Sequence, residues 1–287
     1  MASFSTEMSS SHKIRSLSLP SRLNPINHRI EQELKRLRSK EEASTSASES
    51  IIIGVSGLEK LYGCINQALS LPMTQQTLSL RQHEKHVAEL FKGCSSLLNV
   101  CSSIKEVVFQ QVEITKSLES SLTEKEDILR IRSNIANYNS LRKEVIGKAK
   151  DILMSLNQLN AEVLGDEDCH RSTVIKSLRC VSIINLSVFE SILLFLSVPV
   201  SKPKKTLVSK LMNKGKWKYE SGNEINDVDN VLHQLVSTKD ANDQKLCYAL
   251  GKSTVLVGVV EGIQNDLEKM CTQLTNTKLS LMNILSF

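Results

Sequence analysis

Counting alternately three and four residues from Val87 lands on Leu90, Cys94, Leu97, Cys101, Ile104, Val108, Gln111, Thr115, Leu118 and Leu122. Only Gln111 and Thr115 break the apolar series. Side chains at that spacing line one face of a helix. The ~35 steps from Val87 to Leu122, at ~1.5 Å each, predict a rod of roughly 50 Å. Leu71-Pro72 makes a corner before it, because proline restricts the residue preceding it and cannot continue a helical ladder, so the rod is expected to begin about Thr74. An apolar stripe left in water would forgo roughly 1.5–3 kcal/mol per large side chain, so other helices must cover it.

The same spacing recurs along the chain. Asn24-Pro25 reads as an N-cap with proline at the first helical position, followed by Ile26, Ile30, Leu34 and Leu37 on one face. A Ser-rich loop is expected over 40–50, then a helix over 51–69 weakened by Gly54, Gly57 and Gly63. Thr123-Glu124-Lys125-Glu126 has the form of a capping box opening the next helix, with Ile131, Ile135, Tyr138, Leu141, Val145, Ala149, Ile152, Leu156, Leu159 and Val163 inward. A short turn between two long helices makes them antiparallel. Gly165 ends the second of them, Asp166 or Asp168 caps a third over 169–196, and Asn226 or Asp227 begins a further one. In the last helix, over 241–285, the expected seam is Leu246, Leu250, Ser253, Val257, Val260, Gln264, Leu267, Cys271, Leu274, Lys278, Leu281 and Leu285.

Composition narrows this picture without changing it. The 287 residues are ample for a sizeable core, and 4% aromatics with 11 Gly and 5 Pro argue against a sandwich or barrel. The fold class expected is therefore all-α, an elongated antiparallel bundle of long helices with coiled-coil-like packing. Its organisation would be a Ser-rich tail over 1–23, a bundle over 24–198, a basic linker over 199–222 and C-terminal helices over 223–287 on the same bundle. Seven cysteines form no CxxC pair, and Cys94 and Cys101 sit on the apolar stripe, where a reduced thiol acts as a small hydrophobe. A reducing compartment fits best.

Catalytic and cofactor chemistry finds little support. His83-Glu84-Lys85-His86 spaces its histidines three apart, whereas the zinc motif HExxH needs four, and no third ligand follows. Cys169-His170 stands without a second ligand pair. Gly251-Lys252-Ser253-Thr254 ends like a phosphate loop, but Leu246 stands where that motif wants Gly and the surrounding pattern is helical. No paired carboxylates, Ser-His-Asp or Cys-His arrangement stands out, so neither an enzyme nor a cofactor is expected.

Charge singles out one segment. Lys202, Lys204, Lys205, Lys210, Lys214, Lys216 and Lys218 carry no acidic residue among them, and setting these seven aside turns the formal net charge from +5 to −2. Leu207, Leu211, Met212 and Trp217 are interleaved. Such a segment suits an anionic membrane surface, since each lysine near one contributes about 1 kcal/mol and Trp217 inserts at the interface. Nucleic acid is the weaker partner because no reading module accompanies the lysines. In the tail, Arg15-Ser16-Leu17-Ser18-Leu19-Pro20 resembles the phosphoserine motif that 14-3-3 proteins bind, with Ser18 as the phosphorylation site. Residues 181–200 are apolar enough to raise a membrane span, but Asn185, Glu190 and several serines fall inside, and the uncharged run from Ser191 to Val200 is half a bilayer's length.

Several stretches together resemble the plant family of unknown function that includes the BYPASS proteins. They are SLPSR at 18–22, EQELKRLRS at 31–39, LYGCINQALSLPMTQQTL at 61–78, HEKHVAELFKGCSSLLNVCSSIKE at 83–106, LVSKLM at 207–212 and LTNTKLSLMNILSF at 274–287. The chain departs from the family at Arg22-Leu23-Asn24-Pro25, where members often carry a Ser-His-Pro run. The resemblance implies a largely helical plant protein whose relatives are associated with root and shoot development, and it brings no catalytic residues.

From these readings we expect a non-enzymatic interaction or regulatory protein that presents helix faces to partner helices. It would be cytoplasmic, with peripheral membrane contact through the lysines. The alternative is a membrane-anchored protein with a single span near 181–200.

Overall fold

The computed structural model describes residues 25–44, 46–124, 128–163, 173–197, 223–237 and 243–286. They form eight helices and, among the described residues, no strand: α1 (Pro25–Ala43), α2 (Ala47–Leu69), α3 (Pro72–Leu78), α4 (Arg81–Thr123), α5 (Ile128–Val163), α6 (Thr173–Ser197), α7 (Glu224–Ser237) and α8 (Asp243–Leu285). The fold is an all-α bundle.

Every member of the stripe that begins at Val87 is buried, Gln111 and Thr115 included. Those two polar residues bond to each other, while Gln111 Oε1 is buried without a hydrogen bond among the described residues. Thr115 Oγ1 donates to the Gln111 carbonyl at 2.7 Å and accepts from Gln111 Nε2 at 3.0 Å. The 43 residues of α4 span about 64 Å. Its start differs from the expectation: Pro72 opens the separate seven-residue α3, and the chain turns at Ser79-Leu80 before α4 begins at Arg81. Both breaks have a local cause, since α3 and α4 are each preceded by an extended leucine, Leu71 or Leu80, that leaves the helical ladder.

The principal partner of α4 is α8. Contacts pair Cys101 with Cys271, Lys105 with Glu268, Lys116 with Glu261 and Glu119 with Thr254, so numbers rise on one helix as they fall on the other. The two long helices are antiparallel. On the other flank of α8, Asn66 of α2 donates from Nδ2 to the Gln273 carbonyl at 2.9 Å, and Thr277 Oγ1 donates to Asn66 Oδ1 at 2.6 Å.

This double coverage corrects the expected seam of α8. Ser253, Val257, Val260, Leu267, Leu274 and Leu281 are buried as anticipated. The rest of the buried row is Ala249, Leu256, Ile263, Met270, Thr277 and Ile284, while Leu250, Gln264 and Lys278 are half-buried and Leu285 is exposed. A helix gripped from two sides buries a broader arc whose centre lies between its partners, here one residue earlier than a two-helix seam would place it.

Other boundaries move for similar local reasons. α1 runs on to Ala43 and α2 starts at Ala47, so the expected loop over 40–50 shrinks around Ser46, whose hydroxyl accepts from the Glu49 amide. Thr123 opens no helix: it is the last residue of α4, and its hydroxyl donates back to the Glu119 carbonyl. Gly165, Asp166, Asp168 and Cys169-His170 lie outside the described residues, as does Asn24.

At the centre of the bundle is α6. α6 and α8 are each long and apolar enough to cross a membrane, but 67% of the most apolar window of α6 is buried within the bundle, against 28% for α8. Asn185, the polar residue inside that apolar run, donates to the Tyr62 hydroxyl of α2 at 2.9 Å. α6 packs on α2, α4 and α5.

Candidate functional site

One polar constellation lies within the bundle, where α5, α6 and α7 meet. Arg142 of α5 is 1% exposed. Its Nη1 donates to the Leu196 carbonyl at 2.5 Å, and its Nε lies 3.6 Å from Asp229 Oδ2 of α7. One turn back on α5, the Tyr138 hydroxyl donates to Asp229 Oδ1 at 3.0 Å. Local sequence explains how each arrives there. Asp229 stands beside Val228 on the face that Ile225, Leu232 and Leu235 also bury, so when α7 docks its carboxylate enters the core. The last carbonyls of α6 have no partner within their own helix and carry partial negative charge, which suits a guanidinium.

Burial sets the protonation of this group. It raises the Asp229 carboxyl against the opposing pull of Arg142, lowers the guanidinium, and raises the Tyr138 hydroxyl with help from the neighbouring Asp229 charge. These groups contact one another and lie sealed from solvent. Their chemistry is that of a latch, in which the seated α7 brings the Asp229 carboxylate to a buried cation.

A second stitch fixes the same corner. Asn223 Oδ1 accepts from the Ile225 amide at 2.9 Å and caps α7, while its Nδ2 donates to the Phe195 carbonyl at 3.0 Å. The cap is thus Asn223, three residues ahead of the expected Asn226. The described residues on either side of 198–222 therefore meet at one corner of the bundle. The candidate residues Lys202, Lys204, Lys205, Lys210, Lys214, Lys216, Trp217 and Lys218 belong to that segment and lie outside the described residues, as does Ser18.

Two remaining motifs lie among the described residues. His83 is buried at the start of α4, and His86 Nδ1 lies 3.6 Å from Glu89, so both belong to the packing of that helix end. Among the described residues no group of three or more His, Cys, Asp or Glu is gathered for a metal ion. Gly251-Lys252-Ser253-Thr254 lies within continuous helix α8, where Lys252 Nζ meets Asp227 of α7 at 2.8 Å and Ser253 is buried. Glu224 and Asp227 of α7 with Cys247, Tyr248, Gly251, Lys252 and Val255 of α8 line a groove of about 320 Å³.

Arg142 escapes a reading of α5, because it sits next to the stripe member Leu141 and looks like an outward cation. A signal exists in α7, where Asp229 falls four residues after Ile225 and three before Leu232, on the apolar face. Glu190 of α6 is a second hidden acid. It is half-buried, and burial raises its carboxyl above the usual range. The folded protein thus holds this proton more tightly than the unfolded chain, a contribution present at acid pH and lost as pH rises through the shifted value. Glu190→Gln should raise the melting temperature at pH 7 and leave it unchanged at pH 4, as followed by circular dichroism.

Fold and latch define a class of protein: an all-helical bundle with Arg142, Asp229 and Tyr138 gathered in its interior. The chain belongs to the family described as Protein BPS1, whose model matches residues 54–284. That span takes in every helix except α1 and the first turns of α2. No curated protein and no solved structure matches the chain.

Proposed function

We propose that this protein is a non-enzymatic helical scaffold in plant development, acting in root and shoot. It works by presenting the outer faces of its helices to helices of partner proteins, from the cytoplasm, with the segment from Lys202 to Lys218 resting on an anionic membrane surface. Family membership supports the developmental setting. The observation that carries the membrane contact is the charge of this stretch, seven lysines between Lys202 and Lys218 with no acidic residue among them, in a sequence flanked by Phe195 and Asn223, which bond to each other at one corner of the bundle. Phosphorylated Ser18 adds a docking point for 14-3-3 proteins.

The test is sedimentation with phosphatidylserine-containing vesicles. Reversing Lys204, Lys205 and Lys210 to glutamate removes at least about 3 kcal/mol of attraction at ~1 kcal/mol per lysine, so partitioning should fall more than ~100-fold while helicity is unchanged. Unchanged sedimentation rejects the membrane contact. The length and apolarity of α6 support a second reading, in which residues near 181–200 span a membrane. Carbonate extraction separates the two: the scaffold is released to the supernatant, and a spanning protein stays in the pellet.

A further inference from the structure

The expectation that all cysteines are reduced fails at one pair: Cys101 of α4 and Cys271 of α8 form a disulfide across the two longest helices. The other described cysteines are free, and among them Cys247 is exposed and Cys180 half-buried. An oxidising compartment does not ordinarily leave an exposed thiol unpaired, so free Cys247 and Cys180 point to surroundings in which a disulfide persists only if its redox partners permit it. We propose that Cys101–Cys271 is a reversible redox clasp that sets how firmly α8 is held against α4.

Geometry favours both opening and reclosing. Cys271 is half-buried while Cys101 is wholly buried, so of the two cysteines Cys271 is the one nearer to solvent and to an incoming thiolate. A dithiol reductant attacks there and forms a mixed disulfide, and Cys101 leaves as a thiolate that takes up a proton. The reductant's second thiol then displaces Cys271 as a thiol. The protein has gained two electrons and two protons, and the dithiol has become a disulfide. An oxidised low-mass disulfide such as oxidised glutathione reverses the exchange. The nearest competitor on α4 is Cys94, two turns before Cys101, but burial pushes its thiol up to about 12, so it stays protonated and unreactive. The opened pair therefore finds its own partner again. In the open state both thiols remain as small apolar groups in the seam, so α8 stays docked but loses its covalent tie.

The full chain should be equilibrated in glutathione buffers running from fully oxidised to fully reduced, then alkylated and mapped by mass. Cys101 and Cys271 should change state together at an intermediate ratio. The melting temperature should fall by about 5–15 °C on reduction, since the bond closes a 170-residue loop. The double variant Cys101→Ser/Cys271→Ser should melt at the reduced-form temperature in both buffers, and Cys247→Ser should behave as the parent. A bond that survives fully reduced glutathione is a permanent staple and overturns the proposal, as does alkylation of both residues in the oxidised buffer. Both outcomes are read on the parent chain, so the test stands if the double variant fails to fold.

Discussion

Arg142→Met should cost about 3–5 kcal/mol of folding free energy, measured by urea denaturation at neutral pH. The methionine fills most of the space, so the loss is electrostatic. Asp229 keeps the Tyr138 hydroxyl but loses its cation, and the Leu196 carbonyl loses its donor. Without the cation the buried carboxyl binds its proton more tightly still. Its contribution is then complete below the ordinary carboxylate range and lost as pH rises, so the deficit of the variant should shrink in acid. Adding Asp229→Asn removes the stranded charge while leaving an oxygen to accept from Tyr138, and should restore more than half of the loss. A cost below about 1 kcal/mol for Arg142→Met at neutral pH would show that the latch contributes little.

Gly54→Leu should destabilise the bundle by about 3 kcal/mol, at the upper end of what overpacking costs. A Cβ at Gly54 would stand 2.9 Å from Val188 Cγ2 of α6, and a β-branched side chain has few rotamers into which to retreat. At Gly147 a Cβ would meet nothing within 4 Å. Gly147→Ala on exposed α5 should therefore stabilise by about 0.5–1 kcal/mol, the ordinary propensity difference. Opposite signs for these two glycines test the packing of α6 on α2 independently of any charge.

Single-face periodicity made most of the fold legible. The stripe on α4 was readable because every one of its members is buried, whereas on α8, shared by α2 and α4, the buried arc turns by a residue from the expected seam. Helix ends were less legible. Pro25 opens α1 as its fixed φ requires, and Ser46-Ala47-Ser48-Glu49 carried the capping pattern that starts α2. Thr123 had the same pattern and ends a helix, because a side chain that caps a start also bonds backward to a carbonyl one turn earlier. The latch at Arg142 was illegible within α5, since a cation beside a stripe looks solvated until the partner carboxylate is placed. The disulfide was hidden for another reason: 170 residues of sequence separate its halves, and only the antiparallel register of α4 and α8 brings them together.

The claim beneath all of this is that α6 is the inner helix of a bundle whose apolar faces are sheltered by the chain itself. Hydrogen exchange on the full chain in aqueous buffer, without lipid or detergent, tests it most directly. The amides of Thr173–Ser197 should exchange only as slowly as global unfolding permits, alongside the middle of α4. Rapid exchange along α6 in a chain whose α4 and α8 remain protected would contradict the account.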